Sequence, residues 1–329
     1  MRVTYNHGLY LPEIDLWIDS RAPQQVCLVS HAHADHLGRH KRIVATPGTA
    51  RLCRHRMGPR PTLTIPFFER RDMGDYALTL YPAGHCLGSA QALVEIEGER
   101  FVYTGDFKLR ESRTSEPPEI VPCDTLAIDT TFGDPRYVFP PLEEVVGMLR
   151  EEIDAALASG ETPVVAGYSL GKSQEALALL VENGYRVAVH AEVHAVVEIY
   201  RELGVAFDGP GSFEKLDARR VPDGAVLLVP PSALRQPFVQ KIDPKRTLYL
   251  TGWAMNGSRF RPGVDRMIPL SDHAGYDDLL RYVEASGARR VATLYGNPKF
   301  ARTISRELGV EACYLGAGAT IAETQLSLF

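Results

Sequence analysis

Residues 30–40 read SHAHADHLGRH, which sets His31, His33, Asp35 and His36 within six positions. Imidazole and carboxylate side chains are the ordinary protein donors to zinc, manganese and iron. The run follows Val26–Val29, a short apolar stretch, so it opens a turn at the end of a strand. On such a turn alternate residues aim at two adjacent points, His31 and His33 at one metal and Asp35 and His36 at a second. One histidine in a loop is ordinary surface chemistry, whereas this density of donors predicts a metal site. A metal site does not name a substrate, because activated water attacks lactams, thioesters and phosphodiesters alike.

A dinuclear centre needs a further histidine and a bridging carboxylate. Tyr81-Pro-Ala-Gly-His85 and Tyr103-Thr-Gly-Asp106 supply one each, at the ends of predicted strands Ala77–Tyr81 and Arg100–Tyr103. Gly84 and Gly105, just before the two donors, are expected to let the backbone come close to the metals. Asp19 closes the run Leu16–Ile18 and is expected to orient the histidine loop from behind. Thr125–Ile128 likewise leads into Asp129. This rhythm, an apolar β-rich run and then a polar residue, is that of a layered α/β fold whose loops converge at strand ends.

The texture changes near Pro140. Leu142–Ala158 has helical periodicity, Thr162–Ala166 reads as a strand and Ser173–Glu182 as a helix. Arg186–Val189 is a predicted strand and Ala191–Leu203 a predicted helix, which makes a βαβ pattern. Strands are expected at Ala225–Val229, Thr247–Thr251 and Arg290–Tyr295, with helices at Tyr276–Glu284 and Phe300–Glu307. A chain of 329 residues accommodates such a β-rich layer interrupted by an α/β insertion. Its net charge of −5 argues against a protein coated in nucleic acid but leaves room for a local basic groove. The cysteines at 27, 53, 86, 123 and 313 are odd in number and form no CxxC pair, which fits reduced thiols. The opening MRVTYNHGLYLPEIDLWID has no charged stretch followed by an apolar core, and no apolar run approaches membrane-spanning length. The expectation is a soluble, cytoplasmic protein.

HAHADH, AGHCLGS and TGDFK, in that order, resemble the metallo-β-lactamase superfamily. That resemblance implies an αββα sandwich with a metal site at one edge and one or two divalent ions, zinc or else manganese or iron. Ala127-Ile-Asp129-Thr-Thr, Gly167-Tyr-Ser-Leu-Gly-Lys172, Leu250-Thr-Gly-Trp253 and Ser271-Asp-His273-Ala-Gly narrow it to the β-CASP branch, whose members process nucleic acids. The branch carries an inserted α/β cap, here at 140–264, between lactamase-fold segments 1–139 and 265–329. Carried over, His31, His33, Asp35, His36, His85 and Asp106 hold the metals, Asp106 bridging. Asp129 and His273 form an acid–histidine pair near the scissile phosphate, in which the carboxylate fixes the tautomer and His273 protonates the leaving oxygen, with a ligand of the second metal as the rival role for His273. Asp35 steers the proton of the nucleophile.

One position departs from the RNA-processing members, which have a histidine after a late strand to complete the second metal site. Tyr295 stands there in this chain, so the second site is expected to bind more weakly. DNA-acting members also lack that histidine. Length and motif texture resemble the bacterial ligase-associated DNA exonuclease group, relatives of Artemis-type repair nucleases. The resemblance therefore implies a DNA exonuclease acting on single strands or strand ends, with a ligase and a helicase as pathway partners. An RNA-processing nuclease is the alternative, and a small-molecule lactonase or thioesterase a more distant one, since small substrates require no cap.

Gly167-x-x-x-Gly-Lys172-Ser173 is not a phosphate-binding P-loop, which needs four residues between its glycines and here has three. Ser169 and Lys172 remain candidate phosphate contacts, as do Lys108 and Arg259. The stretch Arg39–Arg71 carries nine lysines and arginines against the single acid Glu69, and it could guide a phosphate backbone.

Overall fold

The computed structural model describes residues 1–217, 220–256 and 263–316, together with the backbone of Thr320–Ile321. The short apolar runs form strands. In the unit made of Met1–Glu111, Ser115–Pro135 and His273–Phe329 they assemble into two seven-stranded sheets. The first runs Thr320–Ile321, Val3–Tyr5, Leu9–Leu11, Leu16–Ile18, Val26–Leu28, Arg42–Ala45, Thr62–Thr64 in space. The second runs Glu311–Tyr314, Arg290–Leu294, Thr125–Asp129, Glu99–Tyr103, Ala90–Ile96, Ala77–Pro82, Arg71–Asp72.

Side chains on a strand alternate between faces, and Glu99–Tyr103 shows what each face of the second sheet meets. Phe101 and Tyr103 point into a core shared with Leu9, Leu11, Ile18, Leu28 and Val44 of the first sheet. Val102, between them, packs with Leu126, Ile128 and Val291 under Leu279, Tyr282, Phe300 and Ile304. The last four belong to helices Tyr276–Ser286 and Lys299–Leu308. Helix Pro47–Met57 packs on Arg42–Ala45 and Thr62–Thr64 of the first sheet. The layers are helix, sheet, sheet and helix, the expected αββα sandwich.

Strand direction decides where chemistry can be built. Leu16–Ile18, Val26–Leu28 and Arg42–Ala45 are mutually parallel neighbours. So are Glu99–Tyr103, Thr125–Asp129 and Arg290–Leu294. Their carboxyl ends run into Asp19, into Ser30 and His31, and into Asp106, Asp129 and Tyr295. Loops beyond the carboxyl ends of parallel strands are where α/β folds place ligands.

Ser112–Thr114 and Arg136–Asp272 form the second unit. Its sheet is entirely parallel, in the order Ser212–Lys215, Arg186–Val189, Val226–Val229, Thr162–Ala166, Lys245–Leu250, Arg266–Ile268. One face packs against helices Leu142–Ala158, Lys172–Glu182 and Ala191–Glu202 through Leu149, Ile153, Leu180 and Val197. The other face has its own core around Val164, Leu227, Tyr249 and Val239. Burial on both faces explains why Val226–Val229 reads VLLV without alternation. The buried Glu175 carboxylate accepts from Ser112 Oγ (2.5 Å), Arg113 N (3.0 Å) and Thr114 Oγ1 (3.0 Å), fixing the detached segment onto helix Lys172–Glu182. The insertion expected at 140–264 falls inside this unit. Among the described residues no helix is long and apolar enough to cross a membrane. Burial pushes the Cys27, Cys53 and Cys123 thiols up to about 12.

Gly105 shows how tightly the strand ends meet. Its φ is +57°, and a Cβ added there would stand 2.9 Å from Ser30 Cβ and Oγ. Gly84 similarly approaches the Lys108 carbonyl, at 2.8 Å from an added Cβ. Both glycines thus admit neighbouring chain at close range. Gly98 is the natural control, with φ +83° and nothing within 4 Å. Gly98→Ala is expected to cost only left-handed strain, about 1 kcal/mol. Gly105→Ala carries the same strain plus the contact with Ser30 and is expected to cost about 3 kcal/mol. Urea melts of the two variants measure the difference, and equal losses would show that the approach to Ser30 is no constraint.

Candidate metal centre

Val26–Leu28 ends one residue short of Ser30-His31, and a single helical turn, Ala34–His36, follows His33. His33 Nδ1 lies 3.1 Å from His31 Nε2 and 2.9 Å from His85 Nε2. Ligands bound at about 2.0–2.1 Å to one tetrahedral zinc stand about 3.3 Å apart, so these nitrogens have the spacing of a shared ion. Asp106 Oδ2 faces the same point, 3.6 Å from His31 Nε2, 3.8 Å from His85 Nε2 and 3.4 Å from His36 Nε2. One donor atom from each of His31, His33, His85 and Asp106 lies within 4.8 Å of the others. Ring nitrogens that converge in this way cannot all satisfy one another as donor and acceptor, and a cation satisfies them together. The donor set is nitrogen and carboxylate oxygen, which fits zinc, manganese or iron.

The polypeptide's own electrostatics act on these groups in opposite senses. Burial and the neighbouring His36 hold His31 well below the ordinary histidine range, leaving it in the neutral form that ligates metals. Burial disfavours a charged His36 too, but the Asp106 and Asp19 carboxylates outweigh it and hold His36 well above that range. Burial would raise Asp106, yet His36 and His273 pull it well below the usual carboxylate range. Asp106 is therefore a carboxylate across the whole neutral region.

Asp19 holds the frame. Its Oδ1 accepts from Ser30 N at 2.7 Å, and its Oδ2 from Ser30 Oγ at 2.5 Å, His36 Nδ1 at 2.8 Å and Tyr103 Oη at 3.0 Å. Ser30 Oγ in turn lies 3.0 Å from His31 Nδ1. One carboxylate thus orients His36 directly and His31 through a hydroxyl, leaving Nε2 of both rings for the centre.

Asp129 and His273 meet as a second pair beside this cluster. His273 Nδ1 lies 2.8 Å from Asp129 Oδ2, and His273 Nε2 lies 3.8 Å from Asp106 Oδ2. Thr131 donates to Asp129 Oδ1 from its backbone at 2.9 Å and its hydroxyl at 2.7 Å, so both carboxylate oxygens are engaged. The Phe132 ring stands edge-on to His273 with centroids 5.9 Å apart.

Tyr295 follows strand Arg290–Leu294 with φ +60°, a conformation that costs a non-glycine residue about 1–2 kcal/mol. It brings its ring to 6.2 Å from that of His36. Burial and the Asp106 carboxylate push its hydroxyl well above the ordinary tyrosine range, so it stays neutral.

The remaining sequence candidates are distributed unevenly. Asp35 lies at the margin, 71% exposed, with Oδ2 3.8 Å from His36 Nε2. Lys108 is buried just beyond Asp106, its backbone donating to Ala83 O. Ser169 is half-buried on the turn before helix Lys172–Glu182. Lys172, expected as a phosphate contact, is instead buried, its Nζ 2.6 Å from Asp272 Oδ1 and 5.6 Å from the Tyr168 ring centroid. An ammonium ion taken out of water needs such a carboxylate, and the partner here lies 100 residues away in sequence. Arg259 lies outside the described residues. Ser30, Tyr103 and Thr131 escaped the sequence reading. Ser30 could have been found from its place between Asp19 and His31, but Tyr103 reads only as strand core.

No family model matches the chain. It is 42% identical over 320 residues to a protein of Opitutus terrae named "Probable DNA ligase", covering 95% of this chain and 31% of that protein. It is 25% identical over 370 residues to an RNase J-like protein of Methanocaldococcus jannaschii, covering 89% of this chain and 87% of that one. Cleavage and polyadenylation specificity factor 73 of Drosophila melanogaster is 31% identical over 121 residues, 36% of this chain and 17% of that protein. The chain thus spans less than a third of the ligase-named relative and most of the RNase J-like one. The site is a histidine and aspartate cluster at the strand ends of an αββα sandwich. With the order of its motifs and these relatives, the chain belongs to the β-CASP branch of the metallo-β-lactamase superfamily.

Asp19→Ala leaves Ser30, His36 and Tyr103 without their shared acceptor. It is expected to cost about 3 kcal/mol in a urea melt and to weaken metal binding about 10–100-fold. Competition with a chromogenic chelator reads the second effect, and unchanged affinity would remove Asp19 from the frame.

Proposed function

We propose that this chain is a metal-dependent DNA nuclease, an exonuclease that trims single strands or strand ends in DNA repair. The observation that carries the reading is the pair His273–Asp129, at 2.8 Å, set beside the cluster around Asp106. Phosphodiester hydrolysis needs a proton delivered to the departing oxygen, and an oriented imidazole is suited to deliver it. Small-ring substrates such as lactams make no comparable demand for a second unit.

His31, His33, His85 and Asp106 would hold one divalent ion, and His36 with Asp106 and Asp35 a second, weaker one. A metal bound there supplies Lewis acidity toward the phosphoryl oxygens and a water acidic enough to ionise near neutral pH. The chain's own residues do the rest. Asp19 and Ser30 keep Nε2 of His31 and His36 turned inward. Asp106 presents a fixed carboxylate between the two sets of donors. Asp129 accepts from Nδ1–H of His273 and stabilises its imidazolium form, whose Nε2–H is the proton given to the leaving oxygen, returning the ring to neutral. Asp35, the most exposed of the donors, takes the proton of the attacking water.

DNA is favoured over RNA by Tyr295, which stands where RNA-processing members of the branch carry a histidine. The ligase-named relative supports a role beside strand sealing, and the resemblance to ligase-associated exonucleases adds a helicase of the same pathway in the cytoplasm. The RNase J-like relative, matched over most of its length, favours the second reading, an RNA nuclease.

Purified protein supplied with zinc or manganese is expected to degrade end-labelled single-stranded or duplex DNA faster than matched RNA. Asp106→Ala is expected to abolish cleavage. Intact DNA with every metal would overturn the nuclease reading, and faster cleavage of RNA would select the second one. His273→Gln is expected to keep its metal content, measured by elemental analysis, while slowing DNA cleavage about 10²–10⁴-fold. A thymidine p-nitrophenyl phosphodiester, whose leaving group needs no proton, should recover most of that loss. Equal losses on both substrates would remove the proton-donor role.

A further inference from the structure

Beside the turn that carries Asp35 and His36, the first unit has a cleft of about 550 Å3, lined by Arg21, Ala34, Leu37, Gly38, Arg39 and Arg56 among others. Its arginines come from three separate places: the loop after Asp19, the stretch after the metal motif, and the last turn of helix Pro47–Met57. All three are exposed, and no residue lining the cleft is acidic. Among the described residues none of the three side chains makes an ion pair or hydrogen bond. Other arginines of the same basic stretch are committed: Arg70 pairs with Glu95 at 2.9 Å, and Arg71 pairs with Glu69.

The wall of the cleft is fixed from behind. Arg60 donates from Nη1 to Gly38 O at 3.3 Å and from Nη2 to Met57 O at 3.2 Å. Those carbonyls belong to the residues next to Arg39 and Arg56, so one guanidinium ties together the two segments that present them. Like charges gathered without counter-ions stabilise nothing in the free protein. Their planar, permanently charged groups match the oxygens of a phosphodiester.

We propose that this cleft binds the backbone of the substrate strand just outside the metal centre. It would take phosphates adjacent to the scissile one, with Arg21, Arg39 and Arg56 as their contacts. The proposal rests on the nuclease reading and deepens it. Ala34, on the cleft wall, is one residue from Asp35 and two from His36, which sets the bound phosphates beside the reacting one. The occupant is single-stranded DNA at least a few nucleotides longer than the dinucleotide that chemistry alone requires.

The test measures binding apart from cleavage. The triple variant R21Q/R39Q/R56Q and the native protein are titrated, in EDTA, with a fluorescent single-stranded DNA of about 20 nucleotides over a salt series. Each phosphate neutralised on a single strand contributes about 0.7 to the slope of log affinity against log salt, so the variant is expected to lose about 2 from that slope. The gain in affinity from a dinucleotide to the longer strand should shrink with it. R70Q/R71Q, which removes the committed arginines, should leave the slope intact. An unchanged slope in the triple variant, with DNA cleaved by the native protein, would overturn the cleft while the nuclease reading stands. A reduced slope with no cleavage of DNA by the native protein would keep the cleft as a polyanion site and overturn the nuclease reading.

Discussion

Four hydrogen bonds to the carboxylate of Asp19 hold the centre in register. They come from Ser30 on one strand end, from His36 at the end of the helical turn, and from Tyr103 in the facing sheet. A buried carboxylate is costly unless it is fully engaged, and this one is engaged by the very groups that aim His31 and His36. Asp19 itself sits at φ +49°, an unfavourable backbone for aspartate that the four bonds help to hold. The same interaction links the two sheets of the sandwich and sets the rotamers at the site. Stability and chemistry therefore draw on one group.

Around that anchor the architecture is economical. Parallel strands deliver Asp106, Asp129 and Tyr295 side by side, because register along Glu99–Tyr103, Thr125–Asp129 and Arg290–Leu294 aligns their ends. The other sheet delivers Asp19 and His31 in the same way. Gly105 lets the two sets of loops interlock. Each donor alone is an ordinary strand-end residue, and their convergence comes from strand direction.

Much of this was legible in the sequence because the physics is local. An apolar run followed by a polar residue marks a strand end wherever the strand is buried, and helix Leu142–Ala158 announces itself by its period. Helix Pro47–Met57 did not, since PGTARLCRHRM buries only Thr49, Leu52 and Cys53 and leaves a mostly charged surface. Val3–Tyr5 and Leu9–Leu11 are three residues each, too short to show any alternation. Long-range partners were also invisible. Nothing near Lys172 signals that Asp272 neutralises it, and nothing in Tyr103 distinguishes a core ring from one whose hydroxyl reaches Asp19. The basic stretch after the metal motif looked uniform, yet the fold sorts it into arginines already paired and arginines left open.

The absence of sulfur from the candidate donor groups has a consequence for what the protein holds in a cell. Burial holds the thiols of Cys27, Cys53 and Cys123 up at about 12, and no cysteine belongs to the donor clusters among the described residues. A nitrogen and carboxylate cage accepts several first-row ions in the general order of their intrinsic affinities. Selection among them passes to the surroundings, to whichever ion the compartment keeps most abundant in exchangeable form. Metal identity at such a cluster then becomes a property of cellular metal supply as much as of the polypeptide.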